Sequence, residues 1–228
     1  MRKFYKTTIA LGAAGLMIAG LAACSTSTST DDTSNDSGSS ATAEAAPEPL
    51  ASIPELSGVD TQVTLDQGFV DAATSLGLTL GLVGNATLTD GTLSFPITGG
   101  NVDYYDPEED YRPYVQGEID HMGSGISLTA GETVVELTDF VIDPGTSRLT
   151  GTVTVNGEVA GEDVFIFNLD GTTLKPLATD DAGNAVLEGT RVLLSEDAAP
   201  LLNETFGTDA LTPDFLVGIA KITAAAAA

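Results

Sequence analysis

The sequence predicts a mainly β fold, an antiparallel β-sandwich or curled sheet with two short α-helices. Three observations predict it. Short runs alternate apolar with polar residues, Gly, Asn, Asp and Pro punctuate them at close spacing, and a strand–cap–helix–glycine unit occurs near each end of the folded part. Many short strands joined by turns argue for sheets folded onto themselves rather than for a helical layer architecture.

The first such unit starts with a strand over residues 61–65. Asp66 is placed to cap a helix over 67–76, and Gly77 stops it. Short strands are expected at 86–88 and 93–96, with Asp90 and Gly91 as turn residues between them, and then at 114–121 and 126–129. The run 133–143 pairs back, and its alternation slips near Thr138 and Asp139, which predicts a bulge. Asp143, Pro144, Gly145 and Thr146 carry turn chemistry. The run 148–156 has the clearest pattern, with Leu149, Gly151, Val153 and Val155 on one face and Arg148, Thr150, Thr152 and Thr154 on the other. Strands follow at 164–169, 185–187 and 191–194. Ser195 then caps a second helix over 196–206, with Pro200 inside it and Gly207 at its end. A last strand spans 216–223, and the alanines of 224–228 are expected to be a disordered tail.

The chain divides into four parts: a leader over 1–23, a tether over 24–58, a β domain over 59–223 and the tail. The leader has a basic start (Arg2, Lys3, Lys6), an apolar stretch of about 15 residues and small residues before the only cysteine. The stretch is shorter than the ~20 residues a spanning helix needs. Leu21, Ala22, Ala23 and Cys24 resemble the lipobox of bacterial lipoproteins, in which cleavage precedes a cysteine that then carries lipid. That resemblance implies a protein held at the cell membrane, on its extracytoplasmic side, through lipid on Cys24. Ser, Thr, Asp, Gly, Ala and Pro dominate the tether, and such a segment buries too little apolar surface to order itself.

The chain has 33 acidic residues against 8 basic ones, a net charge of −25, and loss of the leader deepens this to about −28. Nucleic acid is excluded as a partner, since phosphate binding needs clustered cations. The charge favours a monomer whose partner is a small ligand or a cell-surface protein. Lipidation of Cys24 leaves the fold without a thiol, which removes disulfides, thiolate metal sites and cysteine nucleophiles. One histidine cannot build a zinc site. Ser124 beside His121 lacks the strand-to-helix elbow of a nucleophilic serine, and no enzyme motif is present. Asp170, Gly171 and the 180–184 cluster read as turns rather than calcium loops.

The candidate ligand-facing residues lie close together in sequence. Tyr104, Tyr105, Tyr111 and Tyr114 fall in one hairpin around an acidic tip, and His121 and Met122 follow on its second strand. Two further features bear on them: the segment 90–100 (Asp-Gly-Thr-Leu-Ser-Phe-Pro-Ile-Thr-Gly-Gly), and Asp120, His121, Met122 and Gly123 on a later strand. With the short first helix and the turn at 142–146, their order over about 63–212 resembles the HtaA-type domain of bacterial surface haem-uptake proteins. The resemblance implies a haem ligand, with a tyrosine on the first helix binding iron and the motif histidine, here His121, supporting it. The first helix here has no tyrosine; Thr74 and Ser75 stand nearest. Haem is then a cofactor only if a hairpin tyrosine, His121 or Met122 supplies the axial ligand. The expected protein is a non-catalytic, lipid-anchored, HtaA-like binding module. The alternative is a structural or adhesive acidic surface lipoprotein, whose acidic face binds Ca²⁺ or simply repels its neighbours.

Overall fold

The computed structural model describes residues 46–227. The strands are β1 (Ala51–Ile53), β2 (Leu56–Leu65), β3 (Thr79–Gly84), β4 (Thr87–Thr89), β5 (Thr92–Pro96), β6 (Gly99–Tyr104) and β7 (Val115–Ala130). They continue with β8 (Thr133–Asp143), β9 (Arg148–Val155), β10 (Glu158–Asp170), β11 (Ala178–Thr179), β12 (Ala185–Leu194) and β13 (Leu216–Ala226). Helix α1 (Gln67–Ser75) follows β2, α2 (Ala198–Phe206) follows β12, and a 3₁₀ turn spans Gly171–Thr173. All the strand pairings are antiparallel, in one sheet ordered β1-β6-β7-β8-β9-β10-β12-β13-β2-β5-β4, with β3 on β7 and β11 on β12.

The sheet is strongly curled, and its connectivity shows why. Only Ile97 and Thr98 separate β5 from β6, yet these strands stand near opposite ends of the sheet. Two residues cannot bridge a flat sheet of this width, so the far end must come back beside the near one. It does so at β7. The Thr98 N–H donates to the Asp120 carbonyl at 2.8 Å, and the Met122 N–H donates to Thr98 Oγ1 at 2.9 Å.

The slip expected at Thr138 and Asp139 is present. The β8–β9 register shifts between Thr138 and Val141, and Asp139 has φ +53°. The β7–β8 register shifts at the same level, between His121 and Gly125, and Asp139 Oδ1 accepts the Gly123 N–H at 2.7 Å. The bulge re-phases β8, so that Val135 and Leu137 before it and Phe140 and Ile142 after it are all buried.

The two helices play the equivalent roles their matching sequence units imply. Asp66 Oδ1 accepts the Gly68 N–H at 2.8 Å, and Gly77 leaves α1 with φ +68°. Ser195 Oγ accepts the Ala198 N–H at 2.9 Å and donates to the Phe165 carbonyl at 2.5 Å, which ties the start of α2 to β10. Phe69 and Ala72 of α1 and Leu202 of α2 meet Ile126, Leu137, Phe167 and Val217 around one small void, so both helices plug the same end of the curl.

Four expectations change. The sheet begins at Ala51, inside the span assigned to the tether, because Ala51, Ser52 and Ile53 pair with Tyr104, Asp103 and Val102 and Leu56 is buried in the core. The alanine tail is strand as far as Ala226: Ala224, Ala225 and Ala226 pair with Val59, Gly58 and Leu56. Pairing to a formed partner overrides the low strand preference of alanine. The strands expected at 114–121 and 126–129 are one strand, β7, bent by its bulge, and those at 185–187 and 191–194 are one strand, β12. β1, β3, β6 and β11 were not expected at all. The leader, Cys24 and the first part of the tether lie outside the described residues.

Ser195 satisfies a helix start and a strand carbonyl at once. Its replacement by alanine should cost about 1–2 kcal/mol in equilibrium denaturation. A change within error would show that another group takes over the cap.

Candidate functional site

The interior of the curl is stacked in three levels. The helices close one end. A layer around His121, Phe95, Phe140 and Leu93 fills the middle and shares Ile126, Phe167 and Val217 with the level below. Above it lies a cavity of about 460 Å³, which shares Thr61, Val63, Ile142, Leu149 and Val192 with the middle layer.

His121 belongs to the middle layer and is 1% exposed. Its Nε2 lies 2.8 Å from Thr61 Oγ1 on β2, and its Nδ1 lies 3.3 Å from the Phe140 carbonyl on β8. A carbonyl only accepts, so Nδ1 carries the proton; Nε2 is then the acceptor for the Thr61 hydroxyl. Burial pushes the imidazole pKa down to about 4, against smaller opposing effects from the Phe140 and Ile119 backbone and from Asp60. His121 is therefore neutral near pH 7, with both nitrogens engaged.

The other expected site residues do not gather around it. Met122 follows His121 on the strand and so points to the opposite face, where it is 43% exposed. Tyr104 is buried and meets Tyr114 edge to face at 6.0 Å. Tyr105 meets Tyr111 at 4.7 Å within the 105–114 loop. Desolvation raises the Tyr105 phenol pKa, with Tyr111 and Asp103 adding to the shift. Of these residues only Tyr114 lines the cavity.

The cavity is the site that sequence reasoning missed. Its walls come from β2, β7, β8, β9, β10, β12 and β13, through Val63, Ile119, Ile142, Leu149, Leu169, Leu187, Val192, Ala220 and Ile222. Arg112, Pro113 and Tyr114 from the hairpin loop, Pro144 and Ser147 from the β8–β9 turn, and Gly171 and Leu174 beside the 3₁₀ turn complete it. The alternation of each strand could have supplied the inward residues. The void itself depends on how far strands distant in sequence curl, which no local pattern encodes.

A haem held where the family resemblance implies does not fit these residues. α1 turns Phe69 and Ala72 to the core, and the Thr74 and Ser75 hydroxyls donate to the Val70 and Asp71 carbonyls of their own helix, both at 2.8 Å. The voids beside α1 and His121 are each only about 30 Å³. Among the described residues no three His, Cys, Asp or Glu side chains could hold a metal ion. No helix among them is long and apolar enough to cross a membrane.

The fold and site define a curled, mainly β domain plugged at one end by two helices and hollow at the other. The same fold occurs in the C-terminal domain of HtaA from Corynebacterium glutamicum. That crystal structure matches with a TM-score of 0.52 at 17% identity, over 75% of this chain and 97% of the other. A domain-swapped dimer of a histidine-to-alanine variant of the same domain matches with a TM-score of 0.44 at 17% identity, over 69% of this chain and 88% of the other. The chain thus has an HtaA-type fold. No protein-family model and no curated protein sequence matches it.

The lowered imidazole pKa makes stability depend on pH. As pH falls below about 6.5 the unfolded chain takes up the proton first, so stability is full above that value and falls as pH drops towards about 4. The advantage of the parent chain over His121→Gln in denaturant unfolding should shrink by about 2–3 kcal/mol between about pH 7.5 and about pH 4.5. A constant difference across that window would contradict a buried, neutral His121.

Proposed function

We propose that this chain is a lipid-anchored, non-catalytic binding module on the extracytoplasmic side of the cell membrane, which holds a small apolar ligand in the cavity beneath Arg112 and Tyr114. One observation carries the reading: a preformed cavity of about 460 Å³ with mostly apolar walls and a few polar groups. Ligand sites typically have this form, at about 300–1,000 Å³. The anchor is supported by the basic start, the short apolar core and the Leu21-to-Cys24 lipobox. The chain preceding the sheet would let the module reach ligands away from the bilayer. Its acidic surface would keep neighbouring copies apart.

Haem is not the ligand of this reading. His121 is spent on holding strands together, and α1 offers no phenol to iron.

Two measurements on the full chain test the proposal. Cys24→Ser should abolish incorporation of an alkyne-tagged fatty acid, while persistent labelling would remove the lipid anchor from the account. In isolated membranes, a hexadecanol carrying a diazirine at its far end should photolabel cavity walls such as Leu149 and Leu187. Ala220→Phe, which fills the cavity from β13, should suppress that labelling and leave thermal stability equal or higher. Labelling no stronger than at outward-facing Val159 would count against a binding cavity.

A further inference from the structure

We infer that the cavity selects an amphiphile with one anionic head, its chain running inward toward the His121 layer and its head group at Arg112. The inference rests on the apolar-ligand reading above and adds the chemistry of the head and the direction of binding.

Arg112 is the only charged side chain among the cavity-lining residues, and its surroundings hold it in place. Nη1 donates to the Glu109 carbonyl at 2.6 Å and to the Tyr111 carbonyl at 2.8 Å, and Nη2 donates to the Pro107 carbonyl at 3.0 Å. Its guanidinium also lies over the Tyr114 ring, 5.6 Å from the centroid. Three of the five N–H donors are thus used, and neutral carbonyls use them, so the positive charge is not cancelled. The four carboxylates of the same loop, Asp106, Glu108, Glu109 and Asp110, form no ion pair with it among the described residues.

The remaining described cations are placed differently. Lys175 pairs with Glu188, and Arg191 pairs with Asp170 at 2.6 Å. The Thr172 backbone N–H, with the Thr172 side chain and Arg191, holds the Asp170 carboxyl below the usual range. Arg148 lies over the Phe165 ring, and neither it nor Lys221 lines the cavity. In a chain this acidic, the one cation at an apolar cavity is an arginine with donors to spare, which suits a carboxylate or phosphate oxygen.

The direction follows from the walls. Val63, Ile142, Leu149 and Val192 line both the cavity and the His121 layer, so they mark its inner end. A chain whose head is at Arg112 therefore brings its far end to these four residues.

The test uses the full chain in isolated membranes and two probes, hexadecanoic acid and hexadecanol, each with a diazirine at the far end. The acid should label Leu149 and Val192 about tenfold more than the alcohol does at equal concentration. Arg112→Gln should bring that ratio close to one, and Arg112→Lys, which keeps the charge, should retain most of it. Equal labelling by both probes in the parent chain overturns the anionic head and leaves the apolar cavity standing. Acid adducts at Pro113 and Pro144 in place of Leu149 and Val192 overturn the direction. Absence of cavity labelling by either probe overturns this inference and the binding-module reading together. If Arg112→Gln disorders its loop and both probes fail there, the ratio in the parent chain decides. A matched alkyl phosphate that competes as well as the acid assigns the preference to anionic oxygen in general, and one that fails to compete overturns that general form.

Discussion

One buried imidazole ties the neighbouring strands β7 and β8 to β2, which the sheet order would otherwise keep far from them. His121 on β7 reaches Thr61 on β2, from the far part of the sheet, and the Phe140 carbonyl on β8 beside it. The contact crosses the interior of the curl, so it fixes how closely the two ends of the sheet approach. The paired bulges put His121 there: one lies on β7 just after it, the other on β8 just before Phe140. Removing the ring would leave a buried hydroxyl and a buried carbonyl short of partners, which is costlier than losing the bond itself. The low pKa follows from the burial of the ring in this apolar layer, which penalises its charged form.

The cavity follows from this layer. Helices close the curl below His121, and above it the strands continue, with no third α-helix among the described residues to fill the space. Small side chains such as Ala220 and Thr190 sit where larger ones would close it. Three loops from different parts of the chain then meet around it, and one of them brings the single lining cation. In this domain of HtaA-type fold the cavity thus lies at the end of the curl away from α1 and beyond the His121 layer. The resemblance therefore informs the fold more than the chemistry.

Much of the fold was legible because strong local signals agreed with the tertiary structure. β8 and β9 have the expected limits to within a residue, and the broken alternation at Thr138 and Asp139 is a real bulge. Asp66 and Ser195 cap as their sequence contexts predict. β3, with Gly81 and Gly84 in six residues, and the alanine end of β13 give no strand signal of their own and are held by pairing to β7 and β2. The Tyr–His cluster is dispersed in space for a simpler reason. Residues close in sequence on a strand alternate between faces, so His121 shares the inward register of Ile119 while Met122 faces out. That period was readable, and it favoured a core histidine.

Because the chain has a single histidine, one resonance set reports directly on the central contact. Nitrogen-15 NMR of the imidazole should show the neutral form protonated at Nδ1 and unprotonated at Nε2, with no titration until the pH approaches about 4. A ring that titrates near 6.5, or one that carries its proton on Nε2, would contradict an interior staple joining β2, β7 and β8.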